Sequence, residues 1–267
     1  VNMILSIRLL RGLAWAALIS SVFPAFHVMG QSDTSNMVFQ TDDVRNGGVS
    51  LGFAAGALLP FASGEFRTQC DCRYKALSGF GTTLELTAEY PESSALSLAL
   101  RAGYQGLMPV YRKDLDKIRY APSGEELKIA YSRKADISMH SVTGAFLARW
   151  KPGIGNMFAA AGPSFSYAFS ASLNETEKVM TPGFIDYPSR TNMITLHDGP
   201  MDEAISFREF VIGLYIAAGW ETRLGADYLL LPEVGFTLPL GGLSRDQQDW
   251  KIPALHARIQ VLGVFYR

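Results

Sequence analysis

Residues 139–150, MHSVTGAFLARW, and 156–171, NMFAAAGPSFSYAFSA, flank the turn KPGIG at 151–155. Both runs alternate with period two. In the first, Val142, Gly144, Phe146, Ala148 and Trp150 fall on one side, and Ser141, Thr143, Ala145, Leu147 and Arg149 on the other. In the second, Met157, Ala159, Ala161, Pro163, Phe165, Tyr167 and Phe169 oppose Phe158, Ala160, Gly162, Ser164, Ser166, Ala168 and Ser170. Side chains of a strand point alternately to its two faces, so each run predicts one strand with an apolar face and a small or polar face. Each run is long enough for a tilted strand that crosses a membrane, which needs roughly 9–11 residues. The hairpin is the unit that the rest of the chain repeats.

Working outward, the same alternation predicts a first strand over 48–60, a second over 81–90 and a third from 95 to about 110. A sixth follows over 205–221, a seventh over about 230–238 and an eighth over 255–265. Short turns at 91–94, 151–155 and 224–227 alternate with longer connections at 64–79, 111–136, 172–203 and 241–251. The fold class predicted is all-β, an eight-stranded antiparallel up-and-down transmembrane barrel, with long connections on one side and short turns on the other. With the N-terminus on the periplasmic side, the second, fourth, sixth and eighth strands descend, and each finishes on an aromatic of the apolar face, Tyr90, Trp150, Trp220 and Phe265, as an interfacial girdle would. Pro163 and Pro232 stand mid-strand, and bulges are expected at both.

The opposite face carries Glu85, Glu89, Arg101, Arg149, Glu209, Glu221, Glu233, His256, Arg258 and Gln260. Charges of both signs at this density are costly on an apolar interior face, which argues against a soluble barrel that is apolar inside. Facing the lumen of a membrane barrel they can pair with one another, while lipid covers the apolar face and closure removes every strand edge. An eight-stranded barrel has an interior just wide enough for side chains to fill, so the charges are expected to form a structural network and not to line an open pore.

Composition agrees. Apolar residues make up 48% and aromatics 12%, with mean hydropathy +0.10. The longest internal apolar run, 210–220, is too short for a spanning helix. Net charge is −1, falling to −3 (22 basic against 25 acidic) without the first 30 residues, which excludes the basic footprint of a nucleic-acid binder. Residues 1–30 read as a signal peptide, with Arg8 and Arg11 ahead of an apolar stretch from 13 to 26. Residues 31–47 read as a flexible periplasmic lead-in, and 48–267 as the barrel domain. Export favours a loop disulfide between Cys70 and Cys72 over a redox pair. No further ligands stand near them, so neither metal nor cofactor is expected.

With its signal peptide, eight alternating strands and aromatic strand ends, the chain resembles the bacterial outer-membrane β-barrel family of the small OmpA/OmpX and PorT-like kind. Leu231-Pro232-Glu233-Val234 and the finish Val264-Phe265-Tyr266-Arg267 add to the likeness, although Arg267 follows the terminal aromatic usual in the family. The resemblance implies a cell outer-membrane location, contact with outer-membrane lipid, insertion by the barrel-assembly machinery and a monomer. Some barrels of this kind act on lipid A with a His and a Ser facing the lipid, which a His-x-Ser spacing would achieve. Here His140 and Ser141 are adjacent and face opposite sides, and His256 has no Ser two residues away. No catalytic residue is therefore assigned and no enzyme is expected. The expected role is structural or surface-interacting, with a small gated channel and a lipid-modifying enzyme as alternatives. A binding surface for an unidentified extracellular ligand or protein would lie in the long connections, where Tyr111, Tyr120, Tyr131, Phe184 and Tyr187 stand among charges.

Overall fold

The computed structural model describes residues 48–265 except 62, 65, 69–72, 121–124, 154, 182–190, 226 and 248, together with the side chains of 78 and 120. The signal peptide, the lead-in, the Cys70/Cys72 pair, Phe184, Tyr187, Tyr266 and Arg267 lie outside the described residues. The barrel strands are β1 (Val49–Pro60), β2 (Arg73–Pro91), β3 (Leu96–Tyr120), β4 (Glu126–Trp150), β5 (Met157–Val179), β6 (Phe210–Trp220), β7 (Tyr228–Pro239) and β8 (Ala254–Phe265). Each pairs antiparallel with its sequence neighbours. The ring closes through β1, where Leu51 pairs with Ala88 of β2 on one side and Gly263 of β8 on the other.

Closure sorts the two faces as alternation requires. Leu86, Phe146, Ile216 and Ile259 are exposed on the outside, while Glu85, Leu147, Tyr215 and Arg258 are buried inside. From Tyr90 to Phe80 the outer face of β2 spans one membrane-sized belt, about 25 Å tall for tilted strands of this length. Among the described residues, every barrel strand pairs with a neighbour on both sides. In the turn of the opening hairpin Gly153 and Gly155 adopt positive φ (75° and 57°), which explains the KPGIG composition. The substitution Leu86→Arg, at a belt position that is 71% exposed, is expected to cost about 2–4 kcal/mol, whereas Ile118→Arg above the belt costs near zero. Urea titration of the two variants in lipid vesicles measures the difference.

Four expectations are corrected. First, the connections at 111–136 and 172–203 are largely strand. β3 and β4 each run 25 residues, paired from Leu96↔Trp150 up to Tyr120↔Glu126. β5 continues to Val179 and pairs with a short strand, Met193–Pro200. Charge on both faces marks a loop only where one face must meet lipid. Above the belt both faces meet water or each other, so the backbone ladder runs on. Second, β6 begins at Phe210, not residue 205, because residues 201–208 turn inward through a short 3-10 turn, Met201–Glu203. Third, neither proline makes a bulge. At Pro163 the β4–β5 ladder omits the pairs between Ala145↔Ser164 and Ala148↔Ala161 and resumes in unchanged register. Pro232 stands where the β6 ladder, beginning at Glu233, gives way to that of the short strand Thr222–Leu224, ending at Leu230. Both therefore place the missing N–H at a gap in the pairing. The register shifts fall instead between Ala76 and Ser78, between His140 and Ser141, and between Glu175 and Thr176. Fourth, Tyr111 and Tyr131 are buried and not displayed to solvent.

Candidate functional site: a doubly blocked lumen and a polar cluster on the wall

Inward positions of β2, β3, β4, β7 and β8 bring three arginines and three glutamates to one level. Arg101 Nη1 and Nη2 donate to the two oxygens of Glu233 at 2.9 and 2.7 Å. Arg258 donates to Glu85, and its Nε lies 3.0 Å from Glu233 Oε1 without hydrogen-bond alignment. Arg149 donates to Glu89, whose other oxygen accepts from Ser97 Oγ at 2.5 Å. Gln260 Oε1 accepts from both Arg101 and Arg149, at 3.3 and 3.4 Å. Tyr215 completes the layer from β6. Its hydroxyl donates to Glu233 at 2.6 Å, and Arg258 and Arg101 lie over its ring at 4.6 and 5.5 Å. A side chain at Gly235 would collide with that hydroxyl, 2.0 Å from an ideal Cβ, so glycine there is what lets Tyr215 reach the carboxylate. All six charged groups are buried.

Not every residue assigned to the lumen joins this layer. His256 is buried beside it, bonded through Nε2 to Thr237 Oγ1 at 2.6 Å. Glu221 is half-buried at the turn end and pairs with Lys151 at 2.5 Å. Glu209 is exposed, lies just before β6 and accepts a hydrogen bond from Tyr167 on the outer wall. Its assignment to the lumen counted parity back into a segment that is not strand. Tyr90, Trp150, Trp220 and Phe265 all lie exposed on the outer face at the short-turn end.

The other end of the lumen holds an apolar plug that the sequence reading missed. Trp250 is fully buried, its Nε1 donating to Tyr111 Oη at 2.8 Å. Phe66 packs tilted against both, with ring centroids 4.9 Å from Trp250 and 4.8 Å from Tyr111. Leu58, Leu107, Met201, Leu243 and Ile252 pack around them. Reciprocal amide bonds join the connections that supply the plug, Arg67 N to Gln247 Oε1 at 2.8 Å and Gln247 Nε2 to Arg67 O at 2.7 Å. The apolar residues Trp250 and Ile252, at the border of an otherwise polar connection, were the available signal. Between plug and charge layer lies a cavity of about 80 Å³, bordered by Arg101, His256 and Arg258 below and by Leu107, Leu243 and Ile252 above. That is room for about two or three waters.

Above the plug the projecting strands have an interior of their own. Glu177 accepts from Lys117 at 2.7 Å and Arg133 at 2.5 Å, and Lys117 lies 4.3 Å from the Tyr131 ring centre. Tyr74 donates to Glu175, and burial, followed by that carboxylate, pushes the phenol well above its usual range.

On the outer wall, β4 presents a second polar group. Ser138 and His140 share the outward face, and Tyr104 of β3 reaches them. Tyr104 Oη is 2.6 Å from His140 Nδ1, and Ser138 Oγ is 3.3 Å from His140 Nε2. The sequence search for His-x-Ser passed over the reverse order, Ser138-x-His140, which gives the same shared face.

No protein-family model matches the chain, and no curated protein matches it significantly. Among solved structures, it is similar to the outer membrane protein OprG from Pseudomonas aeruginosa at 13% identity, over 84% of this chain and 98% of that one, with TM-score 0.48. Neisserial surface protein A matches at 12% identity over 82% and 97%, with TM-score 0.35. Acinetobacter baumannii CarO2 matches at 15% identity over 82% and 100%, with TM-score 0.31. At these identities the likeness concerns the fold and says nothing of activity.

Proposed function

We propose that the chain is an integral outer-membrane protein, a monomer inserted by the barrel-assembly machinery, whose barrel is a non-conducting anchor for a surface-exposed sheet. The observation that carries this is the double block of the lumen, a charge-balanced layer below and the Trp250 plug above. Rigid filling of this kind suits a scaffold. The parts left to act are outside it: the strands β3, β4 and β5 with Met193–Pro200, which extend beyond the belt and carry exposed Ile118, Lys128 and Lys134. An unidentified extracellular ligand or protein would bind there. A gated channel would require both layers to move.

The test joins two measurements on one reconstituted sample. Unboiled protein is expected to migrate as a compact band that shifts on boiling, and a planar bilayer containing it is expected to show no conductance steps. Sustained steps would establish the channel instead. A soluble protein without a heat shift would end the membrane reading.

A further inference from the structure

We propose that the cavity between the charge layer and the plug binds one small monovalent anion, taken up together with a proton on His256. The inference needs the folded barrel but not the anchor role, and it gives the filled lumen a ligand.

The hydrogen bonds of the layer are short of acceptors. All six carboxylate oxygens are engaged. Those of Glu233 accept from Arg101 and Tyr215, those of Glu89 from Arg149 and Ser97, and those of Glu85 from Arg258 and Thr83. Gln260 Oε1 already accepts from two arginines. Among the described residues, the buried side-chain atoms without a hydrogen-bond partner are the Nε of Arg101, Arg149 and Arg258, Gln260 Nε2, His256 Nδ1 and the Thr87 hydroxyl. The first four can only donate. Buried polar groups in folded proteins are nearly always paired, so the surplus of N–H calls for a group that only accepts. A water would bring two protons of its own into a layer whose acceptors are taken.

The cavity is where such a group fits. Arg101, Arg258 and His256 border it, and they are 2%, 4% and 3% exposed. The Thr237 hydroxyl donates to His256 Nε2 at 2.6 Å, which leaves the imidazole proton on Nδ1. Tyr215 stands edge-on to the ring, centroids 5.5 Å apart, and holds it in place. Leu107, Leu243 and Ile252 close the other side, and charges act strongly against such an apolar ceiling. A volume of about 80 Å³ takes a halide or nitrate and refuses a large organic anion.

Charge sets the stoichiometry. The groups facing His256 are Glu85 of β2, Arg101 of β3, Tyr215 of β6, Glu233 of β7 and Arg258 of its own strand. With Arg149 and Glu89 the layer holds three positive and three negative charges. A proton on His256 alone would be a fourth buried cation, and an anion alone a fourth buried negative charge. Taken up together they cancel, so the anion and the proton bind cooperatively.

The test refolds the protein into micelles with bromide present, because both blocks shut the cavity. Crystals grown from that sample are expected to show an anomalous bromine peak beside Arg101, Arg258 and His256. In solution, the temperature at which the compact gel band disappears should rise with bromide at constant ionic strength, with gluconate as the balancing anion. The bromide affinity drawn from this rise is expected to tighten about tenfold for each pH unit lowered, as uptake of one proton requires. H256L should abolish the bromide effect. H256Q keeps an N–H donor but takes no proton, and should bind bromide with no pH dependence. A wild-type sample that shifts on boiling yet shows only ordered waters in the cavity, or a bromide effect unchanged in H256L, overturns the site and leaves the anchor reading intact. Bromide affinity that is flat with pH in wild type overturns the coupling to His256. A wild-type sample with no heat shift overturns both readings.

Discussion

Glu233→Ala is expected to remove about 3–5 kcal/mol of folding stability. The carboxylate is buried, bidentate to Arg101, beside Arg258 and bonded by Tyr215. Removing it leaves the buried Arg101 guanidinium with no carboxylate partner, while Arg258 keeps only Glu85. The cost is that of an orphaned buried charge, not the net worth of the bridge, and a second variant separates the two. Replacing the pair together, Arg101→Met with Glu233→Leu, removes charge of both signs and is expected to cost less than Glu233→Ala alone. Urea unfolding in micelles reads both, and the temperature at which the compact gel band disappears should fall in the same order. If the single and double variants are equally destabilised, the layer is held by packing and not by charge pairing.

Trp250→Ala is the other large effect, about 3–5 kcal/mol, because the indole is the largest fully buried side chain among the described residues and the plug cannot collapse to fill its space. Phe66 loses one of its ring contacts and Tyr111 its hydrogen bond. Conductance is expected to stay absent, since the arginine–glutamate layer still blocks the lumen beneath. Thermal unfolding and a bilayer recording on the same variant check both parts. Conductance from Trp250→Ala alone would show that the plug, and not the charge layer, closes the barrel.

These two predictions draw on different levels of legibility. That Glu85, Glu89, Arg101, Arg149, Glu233, His256 and Arg258 face inward follows from counting by twos along strands whose other face is apolar. The same count failed at Glu209, because it ran past the true start of β6, and it was blind to the plug. Trp250 and Phe66 sit in segments without period, where nothing local says whether a side chain points into a barrel or away from it. Ser138-x-His140 was legible as a shared face, but its connection to Tyr104 was not, since that depends on the β3–β4 register that puts Gly106 opposite His140.

Alternation, length and turn chemistry are local properties, and they were enough to dictate strands, their lipid and lumen faces, and closure into a ring. Which arginine meets which glutamate and which connections fold back to stop the mouth depend on contacts between residues 60 to 188 positions apart, such as Arg149 with Glu89 and Ser63 with Lys251. Period two carries the sidedness of a strand but neither its height nor its partners; those are decided when ring closure brings distant faces together.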